Sequence, residues 1–140
     1  MARNAPKGEP FSVRFSGPTD RAVEEEARRQ RRSKSAVVEA LTEEAMRTRR
    51  FPGIAFRGID AQRRPWVIGT GLDIWEICEM DDAYESVEAL VADTQLTARH
   101  VQLARAYRER YPDEIDEAIA ENNRSPETWH ELYPFVQVPH

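Results

Sequence analysis

One cysteine leaves the chain without a partner for an internal disulfide, and Cys78 sits among apolar neighbours in DIWEICEM. That setting reads as a small buried hydrophobe rather than a metal ligand or nucleophile. No apolar run approaches the ~18 residues a membrane span needs, and the opening MARNAPKGEP has no apolar stretch of the secretory kind. The expectation is a cytoplasmic protein with no membrane partner. The three histidines, His100, His130 and His140, have neither i,i+4 spacing nor neighbouring cysteines or carboxylates arranged as a metal site. No phosphate-cradling glycine loop and no nucleophile motif is present. The adjacent carboxylates Asp81 and Asp82 fall in an expected polar turn, where solvated capping explains them. These absences point away from an enzyme and from any cofactor or metal.

What the sequence does have is a division of charge. Residues 1 to 66 carry 15 Lys and Arg against 9 Asp and Glu, whereas residues 67 to 140 carry 5 against 16, so a net charge of -5 conceals a basic half and an acidic half. A basic face attracts phosphates and an acidic one repels them, so the two halves are expected to meet different partners. Scattered solvated charge is the alternative account. Pairs at i,i+4 spacing, Glu24 with Arg28 and Glu25 with Arg29, would absorb part of it on a helix.

After a flexible leader over 1–10, FSVRFS alternates strictly, with Phe11, Val13 and Phe15 on one side and Ser12, Arg14 and Ser16 on the other. That pattern predicts a short strand. Gly17 and Pro18 end it, and Thr19 is the expected N-cap of a helix to about Arg31, with Asp20 favourably placed in its first turn. Ser33 then caps a second helix whose Val37, Val38, Leu41 and Ala45 form one apolar stripe. A strand and two helices, over roughly 40 residues, bury too little surface to stand alone. Two copies pairing their strands antiparallel would complete both edges and a shared core of Phe11, Val13, Phe15, Val37 and Leu41, which makes a homodimer the expectation.

In such a ribbon, Ser12, Arg14 and Ser16 of both copies share one surface, of a width that fits the DNA major groove. Arg14 can donate two hydrogen bonds to guanine, and the serines donate or accept with several bases. The start of the second helix, RSKSAVVEAL, gathers free backbone N–H groups, the Ser33 hydroxyl and the Lys34 charge, a combination suited to a phosphate. An ordinary polar strand face is the competing reading.

On FSVRFS and SKSAVVEAL, residues 11–48 resemble the ribbon-helix-helix family of Arc, MetJ and CopG repressors. The resemblance implies that Ser12, Arg14 and Ser16 read bases while Ser33, Lys34 and Ser35 anchor the backbone of operator DNA. It departs from the family where Arg31 and Arg32 replace the usual glycine and apolar residue of the turn.

Residues 49–65, rich in Gly, Pro and Arg without periodicity, are expected to be a linker. WVIGTGLDI then reads as an extended segment with a glycine turn. Helices follow with Ile74, Ile77 and Cys78 inward, from Ser86 with Val87, Leu90 and Val91 inward, and from Thr97 to Tyr111. Leu96 and Val101 are placed as a hydrophobic staple around Thr97. Pro112 predicts a break at Tyr111 before a helix carrying Ile115, Ala118 and Ile119. The tail, 124–140, offers Trp129, Tyr133 and Phe135 as aromatic anchors for a protein partner, or as a lid on the helices before it.

GTGLDIWEI, SVEALVAD and LTARHVQLARAY resemble a small helical family, domain of unknown function four-three-three, found in antitoxins of the VapB type. The resemblance implies a homeodomain-like helix-turn-helix core over 66–123, with Thr97, Arg99 and His100 as further DNA candidates; the local acidity favours a protein partner instead. The expected whole is mainly α, with an N-terminal ribbon-helix-helix and a small C-terminal helical domain. It implies a DNA-binding antitoxin of a type II toxin-antitoxin system that represses its own operon and neutralises a PIN-like ribonuclease toxin. A free-standing transcription regulator, or an interaction module whose basic half serves only dimerisation, fits the same features.

Overall fold

The computed structural model describes residues 6–123, in which six α-helices and one two-stranded antiparallel sheet form two compact units, one reaching Gly71 and the other beginning at Leu72. Among the described residues, no helix is long and apolar enough to cross a membrane.

The first unit opens with α1 (Gly17–Gln30), entered from Ser16 with Pro18 in the first turn, where its missing N–H leaves no bond unmade. Asp20 near the start and Arg28 and Arg29 near the end complement the helix dipole. The helix ends at Arg31, in the left-handed conformation (φ 54°). There the N–H groups of Arg31 and Arg32 return to Arg28 O and Ala27 O at 3.2 and 3.1 Å. The α2 helix (Lys34–Arg50) is capped by Ser33, whose Oγ accepts from the Ala36 N–H at 3.1 Å. α1 packs on α2, and the buried apolar residues of the pair are only Val23, Ala27 and Val37. That is a thin core for two helices.

Next, β1 (Ile54–Arg57) and β2 (Arg64–Val67) pair with Ile54 opposite Val67 and Phe56 opposite Pro65. Ile54 and Val67 are buried, and β1 touches α2. Gly58 (φ 111°) begins the turn, and a β-carbon there would stand 2.5 Å from Gln62 O, so no other residue fits. Arg63 bonds Gly58 O at 3.1 Å and Phe56 O at 3.2 Å while pairing with Glu44 of α2. Asp60 meets Arg29 of α1 at 3.0 Å. The hairpin is thereby tied to both helices.

The second unit comprises α3 (Ile74–Ala83), α4 (Val87–Asp93), α5 (Ala98–Arg110) and α6 (Pro112–Asn122). A capping box of Asp73 and Glu76 starts α3, and Ser86 and Thr97 cap α4 and α5. α3 packs on α5 and α6, and α4 on α5. Ile74, Ile77, Cys78, Leu90, Leu96, Val101, Ala104, Tyr107 and Ile115 form the core. Burying a large apolar side chain contributes ~1.5–3 kcal/mol, so this unit has far more packing to rest on than the first.

Several expectations require correction. Residues 11–16 form no strand, and α1 begins at Gly17 rather than after Thr19. Strand geometry is held by inter-strand hydrogen bonds, and among the described residues no other segment pairs with residues 11–16. The stretch expected to link the halves instead forms the hairpin. Its Arg and Pro residues mask a period of two, because the inward positions are the unlike residues Ile54, Phe56, Pro65 and Val67. Before α1, Lys7 Nζ meets Glu39 of α2 at 2.6 Å. Finally, the expected Glu24–Arg28 and Glu25–Arg29 pairs give way to Arg29 with Glu26 and Asp60, and Glu24 with Lys34. Glu26 is itself a helical neighbour of Arg29 at i,i+3, while Asp60 and Lys34 are tertiary partners. A helical pair gains only a few tenths of a kcal/mol, so small differences in reach decide which partner is taken.

Candidate nucleic-acid interface

Ser12, Val13, Arg14, Phe15, Gly17, Asp20 and Lys34 line an open groove of about 580 Å³ in the first unit. Three of the six first-unit residues read from sequence as DNA contacts, Ser12, Arg14 and Lys34, are therefore brought together. The other three lie outside its lining. Ser16 donates its hydroxyl to Thr19 Oγ1 at 3.1 Å, and the Ser33 hydroxyl is engaged in capping α2. Ser35 is exposed in the first turn of α2, where helix geometry leaves backbone N–H groups without intrahelical acceptors.

Arg14 is exposed, and among the described residues no carboxylate engages it. Lys34 differs. Its ammonium bonds the Asp20 carboxylate and has Glu24 Oε1 at 3.7 Å. The hydrogen bond it donates to Asp20 holds the ammonium above the usual lysine range, against the opposing effect of desolvation. Sequence reading missed this pairing. Asp20 and Lys34 lie 14 residues apart on different helices, and the sequence offers only Asp20's favourable place in a first turn.

Of the residues expected in a shared dimer core, Val37 is already fully buried within one chain and Phe15 is half-buried. Phe11, Val13 and Leu41 are 86, 59 and 47% exposed, and Met46 on α2 is 44% exposed. Large apolar groups so placed forgo much of their burial energy in the single chain.

In the second unit, Thr97 and His100 are engaged with each other. Thr97 Oγ1 accepts from the His100 N–H at 3.2 Å, and His100 Nδ1 accepts from the Thr97 N–H at 3.1 Å. Arg99 is exposed. The Cys78 thiol is buried, donates to Ala104 O at 3.6 Å, and is pushed up to about 12 by desolvation. Asp81 and Asp82, expected as solvated caps in a polar turn, instead lie within α3, where they hold Arg105 and Arg108 of α5. Among the described residues no cluster of His, Cys, Asp and Glu could hold a metal ion. The aromatic anchors Trp129, Tyr133 and Phe135 lie outside the described residues. Comparison with protein-family models, with curated proteins and with solved structures finds no match for this chain.

Proposed function

We propose that this protein is a non-enzymatic, DNA-binding regulator that acts as a homodimer. Two copies pair residues 11–16 as an antiparallel ribbon, present Ser12, Arg14 and Ser16 to base edges, and set Ser33, Lys34 and Ser35 against the phosphate backbone. The observation that carries this reading is the segment itself. Exposed Phe11 and Val13 alternate with exposed Ser12 and Arg14 directly before two helices whose own apolar core is thin. A second strand would satisfy that segment's backbone and cover its apolar side, and nothing among the described residues of one chain does so.

The acidic second half fits a protein partner better than DNA, because a surface that repels phosphates gains nothing from a duplex. With the family resemblance, this supports the role of a type II antitoxin in the cytoplasm, repressing its own operon and neutralising a PIN-like ribonuclease toxin. The homeodomain-like core for residues 66–123 belongs to the same proposal.

Selection of bound duplexes from a random pool, followed by anisotropy titration at several salt concentrations, tests the reading. A selected site should bind far more tightly than random duplex, and Arg14→Ala should lose about 1 to 3 kcal/mol at that site alone. Failure to enrich any sequence, or equal losses on selected and random duplexes, would remove base reading by Arg14.

A further inference from the structure

The groove that gathers Ser12, Arg14 and Lys34 also contains a carboxylate. Asp20 lines it and binds Lys34 Nζ directly, with Glu24 3.7 Å from the same ammonium. A surface meant only to attract phosphate gains nothing from an anion on its own cation, because a lysine that is already neutralised holds no counterion-replacing charge for an incoming duplex. The ion pair is partly open to solvent, with side-chain exposures of 44% for Lys34 and 40% for Asp20. Exposed pairs of this kind contribute little to folding, so the pairing is cheap to exchange for another anion.

We propose that Asp20 is a built-in competitor for phosphate at Lys34, weakening sequence-independent attachment so that Lys34 engages a nucleic acid only where other contacts draw the backbone into the groove. This rests on the DNA-binding reading above and adds a specificity-determining residue to it. Asp20 touches neither base nor phosphate in its working role. It acts through Lys34 and is a positioning residue.

The consequence is a change in salt dependence. Each additional neutralised phosphate steepens the dependence of log affinity on log salt by roughly 0.9, a further loss of roughly three- to fourfold between 50 and 200 mM salt. Freeing Lys34 by Asp20→Asn should therefore tighten binding to a random-sequence duplex at low salt and steepen the slope by about one. Glu25→Gln removes an exposed carboxylate of the same helix that does not line the groove, and it should leave the slope unchanged. Because Asp20 also favours the start of α1, Asp20→Ser serves as a second neutral variant, with circular dichroism melts verifying that both fold.

A parallel titration with inorganic phosphate, followed through the Lys34 CεH2 resonances of the full-length chain, separates this inference from the reading beneath it. The expected result is a midpoint several-fold lower in both Asp20 variants than in the wild type. If the phosphate midpoint and the duplex slope are the same with and without the carboxylate, Asp20 is no competitor and the inference falls. If the midpoint moves as expected while no variant binds duplex, the competition at Lys34 stands and the DNA reading fails.

Discussion

Arg108 Nη1 donates to both carboxylate oxygens of Asp82 at 2.9 Å, while its Nε and Nη2 hold Asp116 Oδ1 at 3.0 and 2.8 Å. One guanidinium on α5 thus joins α3 to α6. Charge-assisted, planar contacts of this kind depend on arginine's fork rather than on charge alone. Replacing Arg108 with Ala should lower the stability of the second unit by about 1 kcal/mol, since the two carboxylates remain partly solvated. Arg108→Lys should recover less than half of that, because an ammonium cannot span both partners. Urea unfolding, read as a shift in midpoint at unchanged slope, checks both values.

The Cys78 thiol should resist alkylation in the folded protein. Burial pushes it up to about 12, so almost no thiolate is present near pH 8. A thiol raised on folding contributes fully below its unfolded value near ~8.5, and that contribution is lost as pH rises toward its folded value. The wild type should therefore lose stability relative to Cys78→Ala between about pH 9 and pH 12. A thiol-reagent time course in native buffer and in urea checks the first expectation, and paired alkaline melts check the second. Rapid native labelling would show that α3 and α5 part more readily than their packing implies.

Arg31 occupies a left-handed position (φ 54°) where side chains are strained and glycine is not. Arg31→Gly should stabilise the first unit by about 0.5 to 1 kcal/mol, the relief of strain outweighing the extra freedom of glycine in the unfolded chain. A differential scanning calorimetry trace with a lower transition temperature for the glycine variant would mean that Arg31 contributes contacts outweighing its strain.

The helices were readable because their signals are local. The Ser33, Ser86 and Thr97 caps and the break before Pro112 each span only a few residues, and all are present, while Leu96 and Val101, the expected staple, are both buried. Apolar periodicity correctly turned Ile74, Ile77, Cys78 and Ile115 inward. The hairpin was not readable, because four-residue strands containing arginine and proline carry too little alternation to stand out. Its fixings, Arg63 with Glu44 and Asp60 with Arg29, join residues about 20 to 30 apart. The candidate interface was legible in its basic members. Its acidic member was not, since nothing in the sequence spacing shows that Asp20 meets Lys34.

Val13 is 59% exposed in one chain. If the protein works as a monomer, Val13→Asp places a charge in water and should change stability by no more than a few tenths of a kcal/mol, as most surface substitutions do. If two copies pair through residues 11–16, the same substitution buries carboxylates against Phe11 and Phe15 of a shared core, where an unpaired charge costs several kcal/mol. The expected outcome is the second. The wild-type chain should scatter light as a dimer at micromolar concentration and melt at a temperature that rises with protein concentration, because association stabilises by mass action. Val13→Asp should scatter as a monomer and lose the concentration dependence, and its first unit should melt well below the second. Val13→Thr keeps the β-branched shape and only adds a hydroxyl, so it should retain the dimer at somewhat lower stability. A wild-type chain that remains monomeric and melts independently of concentration would show that Phe11 and Val13 are not buried by a second copy.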